Sequence, residues 1–255
     1  MNVFILAHFL ADFVFQKDNH VIEKNKNVIK GNLKHVLWVS LFFILSAIYY
    51  ILIRNGIQPK EILLIITFVV SNIIIHFMID VIKSLTQKRF KDVNLILLII
   101  DQVIHFSIIF ISYRILLRGF DEKMITNATV DINLIIYLVI ATFVSSVIIK
   151  EILILFNLKP KNLEIYNSDL QDIKENLNTT VEVRLGKWIG IIERMIMFMA
   201  MLFGIFEVLA IVVAFKTLSR FTDLKDNPEY YILGNLLSLL LVFTSYGLYQ
   251  GLFKL

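Results

Sequence analysis

Long apolar runs alternate with short polar stretches along the whole chain. The runs long enough to cross about 30 Å of hydrocarbon occupy residues 33–53, 61–82, 94–117, 132–156, 188–215 and 230–253, and a shorter run, 2–15, precedes them. All three prolines fall between runs, where helix-breaking residues are expected. The pattern predicts an all-α, polytopic membrane helical bundle with seven transmembrane helices, or with six and a re-entrant N-terminal segment.

The first run differs from a secretory signal peptide. It carries His8 and Asp12, no basic region precedes it, and no small-residue cleavage site follows it. We therefore expect residues 2–15 to be retained and to enter the membrane.

The composition agrees with a membrane protein and excludes several kinds of chemistry. Of the 255 residues, 58% are hydrophobic and 18% are charged, and the mean hydropathy is +0.76, which is too apolar for a soluble domain of this size. The absence of cysteine excludes disulfides, thiolate nucleophiles and sulfur ligands. The net charge of +4 is modest and scattered, so nucleic acid is not an expected partner.

Basic residues are unequally divided between alternate loops. Loops 16–34, 83–93 and 157–187 carry fourteen lysines and arginines, whereas the other three loops carry eight. By the positive-inside rule the fourteen face the cytoplasm. We therefore predict a multi-pass protein of the cell membrane with its N-terminus outside and its C-terminus in the cytoplasm.

Ionisable side chains recur inside the apolar runs at helical spacing. Three histidine–aspartate pairs are each four residues apart, and a further histidine stands near the start of another run: His8 and Asp12, His76 and Asp80, Asp101 and His105, with His35. Residues four apart share a helix face, and ionisable residues within a membrane span indicate function by default. The predicted topology places all seven in the cytoplasmic half of the membrane.

Imidazole and carboxylate groups are metal ligands. Four histidines and three aspartates suffice for one ion with an open position or for two ions that share a carboxylate. We therefore predict a divalent metal site, with zinc preferred and manganese or iron as alternatives, whose ligands are His8, Asp12, His35, His76, Asp80, Asp101 and His105. The competing interpretation is that each pair only forms hydrogen bonds that join helices.

Four residues are assigned to catalysis. Asp12, Asp80 and Asp101 are expected to divide between metal ligation and general-base work. Arg194 either holds a substrate phosphate beside the metal or, with Glu193, forms ion pairs between helices. The chain accordingly divides into residues 1–118, with the four metal-site helices, and residues 119–255, with three further helices of the same membrane domain.

Other polar residues receive smaller roles. Gln16 and Gln102 are candidates for positioning a substrate oxygen, since each lies close to an aspartate of the predicted site. His20, the fifth histidine, stands among lysine and asparagine residues and is not expected to be a ligand.

Two groups of motifs resemble a known family. The N-terminal group comprises His8, Asp12, Phe13 and Gln16, then His35, then His76-Phe77-Met78-Ile79-Asp80 with Lys83, then Asp101-Gln102 with His105. The C-terminal group comprises Gly186, Ile192-Glu193-Arg194, Lys216-Thr217-Leu218-Ser219-Arg220-Phe221, Glu229-Tyr230, Gly234 and Ser238. Together they resemble the bacterial family called Domain of Unknown Function 3307, a resemblance that implies no activity. The histidine–aspartate style is also similar, in chemistry more than in descent, to membrane-bound metal-dependent hydrolases of the LexA-regulated type.

These observations favour an intramembrane metal-dependent hydrolase that acts on a lipid or lipid-linked ester or phosphoester from the cytoplasmic leaflet. The bilayer and such a substrate are the expected partners, and the oligomeric state is open. The alternatives are a metal-ion or proton-coupled transporter and a regulatory membrane subunit with a structural metal. No glycine-rich phosphate loop or serine triad suggests another chemistry.

Overall fold

The computed structural model describes residues 1–16, 27–53, 57–89, 94–117, 131–158, 173–219 and 227–251, without the side chains of residue 88 and residues 173–184. These residues form helices and no strand, which confirms the all-α prediction. The helices are α1 (Asn2–Phe9), α2 (Val28–Leu52), α3 (Pro59–Arg89), α4 (Asn94–Leu116), α5 (Ile132–Val139), α6 (Ser145–Leu155), α7 (Ile173–Leu202), α8 (Glu207–Ser219) and α9 (Pro228–Tyr249). A π-helical turn, Leu10–Val14, follows α1, and another, Ile140–Val144, joins α5 to α6.

Five of the described helical segments are long and apolar enough to cross a membrane. They are α2, residues 59–87 of α3, α4, the continuous segment from α5 to α6, and α9. The segment Asn2–Val14 is shorter, and at about 1.5 Å per residue it covers only about 20 Å. The described residues thus contain five candidate spans and fit a multi-pass membrane protein. The predicted count of seven, or of six and a re-entrant segment, stays a prediction.

The predicted run 188–215 is not one helix. Helix α7 begins earlier, at Ile173, and ends at Leu202, and α8 begins at Glu207. Gly204, between them, has a φ of +70°, a backbone conformation that glycine adopts without strain. Hydropathy alone missed this break because the residues around Gly204 are apolar.

The described residues form two compact units, residues 1–136 and residues 137–255. In the first unit, α1 packs against α2 and α4, and α3 packs against both of those helices. Aromatic side chains form its core: Phe4 meets the Phe68 ring edge-on at 4.7 Å, and Tyr50 and Tyr113 approach through their hydroxyls at 3.4 Å. This core holds α1 against the other three helices.

Local signals explain where several helices begin. The side chain of Asn27 accepts a hydrogen bond from the backbone N–H of Lys30, which caps α2. At the start of α3, the Glu61 carboxylate accepts from the backbone N–H of Gln58, and Pro59 takes the first helical position, as Pro228 does in α9.

The helices expose large apolar side chains along their length. Leu52 is 73% exposed and Ile115 is 74% exposed, and an apolar surface of this extent fits a lipid environment. His20 and parts of the loops that set the predicted orientation lie outside the described residues.

Candidate metal centre

Four segments of the first unit bring all seven predicted ligands into one cluster. His8 comes from α1 and Asp12 from the π-helical turn, His35 from α2, His76 and Asp80 from α3, and Asp101 and His105 from α4. The four histidines and Asp80 and Asp101 are at most 4% exposed, and the Asp12 side chain is 7% exposed. The i,i+4 spacing accounts for this placement, because it turns both members of each pair toward the same neighbouring helices.

The most regular part of the cluster is a set of four atoms, here called the first ligand set: His35 Nε2, His76 Nε2, Asp12 Oδ1 and Asp80 Oδ2. His35 Nε2 lies 3.3 Å from Asp12 Oδ1 and 3.4 Å from Asp80 Oδ2. His76 Nε2 lies 3.5 Å and 3.7 Å from the same two oxygens. The two imidazole nitrogens are 3.4 Å apart.

These five separations, 3.3–3.7 Å, are close to the edge length of a tetrahedron around an ion. Four nitrogen and oxygen ligands at about 2.0–2.2 Å from a tetrahedral zinc ion lie about 3.3–3.6 Å from one another. Direct hydrogen bonds between an imidazole and a carboxylate are shorter, about 2.7–2.9 Å when charge-assisted. The Lys83–Asp101 contact in the same cluster, at 2.7 Å, has that shorter length. The spacing of the first ligand set would therefore fit a tetrahedral metal ion, and His35 and His76 also lie within hydrogen-bonding distance of each other.

The remaining two histidines lie next to the first ligand set. The His8 and His105 rings stack at 4.9 Å, and the His76 ring lies 4.2 Å from that of His105. His8 Nε2 is 3.7 Å from Asp12 Oδ2, and His105 Nε2 is 4.0 Å from Asp80 Oδ1. Each of these aspartates therefore has one oxygen in the first ligand set and the other directed toward a further imidazole.

Asp101 lies on the outer side of His105. Nδ1 of His105 donates to the Asp101 backbone carbonyl at 2.8 Å and lies 3.5 Å from its Oδ1. The other carboxylate oxygen, Oδ2, accepts from Lys83 at 2.7 Å and from Gln102 at 3.0 Å. This arrangement resembles that of carboxylates that orient a ligating imidazole.

Gln102 links the two ends of the cluster. Its amide oxygen faces His8 Nε2 at 3.1 Å, and its amide nitrogen donates to Asp101 and, at 3.5 Å, to Asp12 Oδ2. Gln102 was predicted to position a substrate oxygen, and its described contacts are with the protein. Gln16, the other such candidate, is partly exposed.

Sequence reasoning missed Asn32. This residue is fully buried, donates to the Asp80 backbone carbonyl at 3.4 Å and to Ser84 Oγ at 3.1 Å, and so fixes α3 beside α2. Its spacing of three residues from His35 places both on one helix face, a signal that could have identified it.

Arg194 belongs to the second unit. The guanidinium, on a residue that is 4% exposed, donates from Nε and Nη2 to the Thr142 carbonyl, from Nη2 also to Ser146 Oγ, and from Nη1 to Ser238 Oγ. Glu193 instead pairs with Lys216 at 2.6 Å. The predicted role of Arg194 as a phosphate ligand stays a prediction.

Residues 1–134 match the family described as proteins of unknown function and designated DUF3307. This match covers just over half of the 255 residues. The chain belongs to the DUF3307 family. No curated protein and no solved structure matches it.

The DUF3307 match and the clustered side chains occupy the same part of the chain. The match ends two residues before the first unit does, at residue 134 against Ile136. All seven clustered residues therefore lie in the part that defines family membership. The family match does not include the LexA-regulated membrane hydrolases. The similarity of the histidine–aspartate pairs to those enzymes therefore stays an analogy of chemistry.

Proposed function

We propose that the first unit is an intramembrane metal-dependent hydrolase that cleaves an ester or phosphoester bond in a lipid or lipid-linked substrate from the cytoplasmic leaflet. A divalent ion, zinc by preference, would be held by His35, His76, Asp12 and Asp80. The observation that carries this proposal is the convergence of these two imidazoles and two carboxylates in one buried cluster. One of the four would have to leave a coordination position open for water, because catalytic zinc sites keep three protein ligands.

Burial supports the presence of an ion. Three carboxylates with little exposure lie within one cluster, and one of them, Asp101, pairs with Lys83. Removing carboxylates from water without neutralising them is costly. A divalent ion between Asp12 and Asp80 would offset that cost.

The same residues suit hydrolysis. A divalent ion makes water a usable nucleophile at neutral pH and polarises a phosphoryl or carbonyl oxygen. The water oxygen bonds to phosphorus or to the acyl carbon, and the ester oxygen leaves with the proton that the water loses. Asp12 and Asp80 would hold the ion, and the Asp101 backbone carbonyl holds His105, so the aspartates of the cluster are the candidate general bases.

The location supports a lipid substrate. His35, His76, Asp80, Asp101 and His105 all lie inside helices long and apolar enough to cross a membrane. A water-soluble substrate would have to leave water to reach a nucleophile at such a position.

The test is hydrolysis in detergent. Purified protein is loaded with zinc and incubated with a panel of phospholipids, lipid-linked phosphates and acyl glycerols, and products are measured by mass spectrometry. We expect the release of one class of product, its loss on chelation, and its recovery on returning zinc. A fall of at least a hundredfold is expected for His76→Gln, since removing a metal ligand removes the activated water.

His20→Gln is the matched control, because His20 is not an expected ligand, and it should keep full activity. Retained secondary structure and elution volume in the variants would show that the loss is chemical. Folded, zinc-loaded protein that releases no product from any member of the panel would contradict the proposal.

One observation favours transport as a second candidate. Discontinuous helices are frequent at transporter binding sites, and the second unit contains the break between α7 and α8 at Phe203–Phe206. Uptake of zinc into sealed vesicles, without lipid product in detergent, would support that candidate.

A regulatory subunit with a structural metal is the third possibility. Four protein ligands can close a tetrahedral ion. Tightly held zinc, with neither product nor uptake, would support that candidate.

A further inference from the structure

Helices α7 and α8 fold back on each other around Gly204. Glu193 and Lys216, which lie at nearly equal distances along the chain before and after Gly204, pair at 2.6 Å. One straight helix would separate these two residues by about 34 Å, because it rises about 1.5 Å per residue. The two helices therefore form an antiparallel pair, here called the α7–α8 hairpin, whose turn is Phe203–Phe206.

Contacts at both ends of α9 give its direction relative to the segment from α5 to α6. Near the start of α9, the position that a Cβ on Gly234 would take lies 4.0 Å from Leu153 Cδ1, close to the end of α6. At the other end of α9, the Tyr249 ring lies 6.0 Å from the Tyr137 ring in α5. The two segments therefore run antiparallel, and α9 starts at the side where α6 ends.

Helix α7 runs parallel to α9. Arg194 Nη1 donates to Ser238 Oγ at 3.1 Å, and further along both helices the Phe198 ring lies 6.2 Å from the Tyr246 ring. If the helices were antiparallel, Phe198 would lie nearer the start of α9 than Arg194 does. Because α7 and α9 start at the same side, the chain must return to that side between the end of α7 and the start of α9.

The position of Arg194 gives the depth of the hairpin turn. Its guanidinium donates to the Thr142 carbonyl and to Ser238 Oγ, which lie near the middle of two candidate spans, the segment from α5 to α6 and α9. Gly204 follows Arg194 by about 15 Å of helical rise, which is half of the roughly 30 Å of hydrocarbon in a bilayer. The α7–α8 hairpin is therefore long enough to reach the opposite surface before it returns.

The surface of the α7–α8 hairpin is apolar. Phe203 at the turn and Phe215 and Leu218 on α8 are 71–74% exposed, and an apolar surface of this kind is costly in water. Glu193 and Lys216 carry opposite charges and pair with each other, as ionisable groups inside a membrane usually do. Lipid chains are the partner that fits this surface.

Basic residues favour the same arrangement. The division of fourteen lysines and arginines against eight places the loop after residue 215 on the outer side. If the hairpin returns the chain, Lys216 belongs to the hairpin, and Arg220 and Lys225 move to the side of loop 157–187. The division becomes sixteen against five, a stronger bias of the kind that the positive-inside rule describes.

We infer that α7 and α8 form a membrane-inserted hairpin, in contact with lipid chains, whose two ends face the cytoplasmic side, and that α9 carries the C-terminus to the outer side. This topology differs from the sequence prediction, which placed the C-terminus in the cytoplasm because it treated residues 188–215 as one crossing. It does not depend on the metal or on the activity of the first unit.

The absence of cysteine from the chain makes labelling a direct test of this topology. Lys225→Cys, between α8 and α9, and Gln250→Cys, after α9, are treated in intact cells and in permeabilised cells with a membrane-impermeant maleimide. Lys30→Cys and Lys60→Cys, at exposed positions where α2 and α3 start, are the controls for the cytoplasmic side and the outer side.

The two positions should react differently. We expect Lys225→Cys to react only after permeabilisation, as Lys30→Cys should. Gln250→Cys should react in intact cells, as Lys60→Cys should. Labelling of Lys225→Cys in intact cells, or protection of Gln250→Cys in them, would overturn the inference.

A peptide tag added after Leu255 gives a measurement that does not depend on a cysteine. Protease added to intact spheroplasts should remove the tag, because the inferred topology places the C-terminus outside. A tag that resists the protease until the membrane is opened would overturn the inference.

A cross-link tests the hairpin separately from the position of the C-terminus. Cysteines that replace both Glu193 and Lys216 should form a disulfide within one chain on mild oxidation, because the two side chains meet in the hairpin. Glu193→Cys and Lys216→Cys, each alone, are the controls for disulfides between two molecules. Two free thiols after oxidation of the double variant would overturn the hairpin.

Discussion

Within the cluster, Asp101 fixes the orientation and the protonated nitrogen of His105. The Asp101 carbonyl fixes which nitrogen of His105 carries the hydrogen, and its carboxylate is in turn held by Lys83 and Gln102. Lys83 is the more accessible member of the ion pair, with a side chain that is 23% exposed against 3% for Asp101. Replacing the lysine therefore leaves a buried carboxylate with fewer donors.

Lys83→Met should lower the free energy of unfolding by about 1–3 kcal/mol, the usual cost of leaving a buried polar group unsatisfied. Adding Asp101→Asn should restore most of the loss, because the neutral amide no longer needs the ammonium group. Denaturant unfolding in detergent gives both values. Lys150→Met, at an exposed lysine, is the control and should change the free energy of unfolding little. Equal stability of Lys83→Met and wild-type protein would contradict the energetic coupling of Lys83 to Asp101.

At the scale of single residues, the sequence predicted which side chains form the cluster but not which contacts each of them makes there. The i,i+4 pairs identify one face of each helix, and the structure brings those faces together. Asp80 and Asp101 have different environments because Lys83 and the neighbouring helices surround them differently. The spacing of residues along one helix does not predict those surroundings. Asn32 was missed because a single asparagine near a helix start usually serves as a cap.

Among the elements, the two π-helical turns coincide with polar contacts. The first, Leu10–Val14, contains Asp12 and is closed by a hydrogen bond from the Phe15 N–H to the Leu10 carbonyl at 3.0 Å. The second, Ile140–Val144, contains Thr142, whose carbonyl accepts from Arg194. Such turns are frequent at functional sites. Neither was predicted, because they leave the apolar pattern unchanged.

Arg194 connects the second π-helical turn to α9 through Thr142 and Ser238. All three of its guanidinium nitrogens already donate to described acceptors, so we expect a structural role. Arg194→Gln should lower the stability of the protein by about 1–3 kcal/mol without changing its zinc content. Ser238→Ala, which removes one of these bonds, should cost about 1 kcal/mol.

Unchanged stability in Arg194→Gln, together with a raised KM and an unchanged kcat, would instead support the phosphate-binding role predicted from the sequence. Unfolding in detergent and steady-state kinetics on the identified substrate separate the two roles.

On the scale of the whole molecule, hydropathy predicted the helical class and most of the helices. It failed at the α7–α8 break, because Phe203, Ile205 and Phe206 continue the apolar run and only Gly204 signals a turn. The first segment, Asn2–Val14, is a shorter apolar helix, in agreement with the shorter run predicted there, and whether it spans the membrane or re-enters it stays a prediction. The orientation toward the cytoplasm stays a prediction.

The division into two units separates the described site from the rest of the chain. The family match and the seven clustered side chains lie in the first unit, which therefore contains every residue that the proposed chemistry requires.

The central claim is that an ion lies between His35, His76, Asp12 and Asp80. Anomalous diffraction at the zinc edge from crystals of the zinc-loaded protein tests it most directly. The account predicts a peak about 2.0–2.2 Å from Nε2 of both histidines and from one oxygen of each aspartate. An empty site whose imidazoles hydrogen-bond directly to the carboxylates at about 2.7–2.9 Å would contradict it.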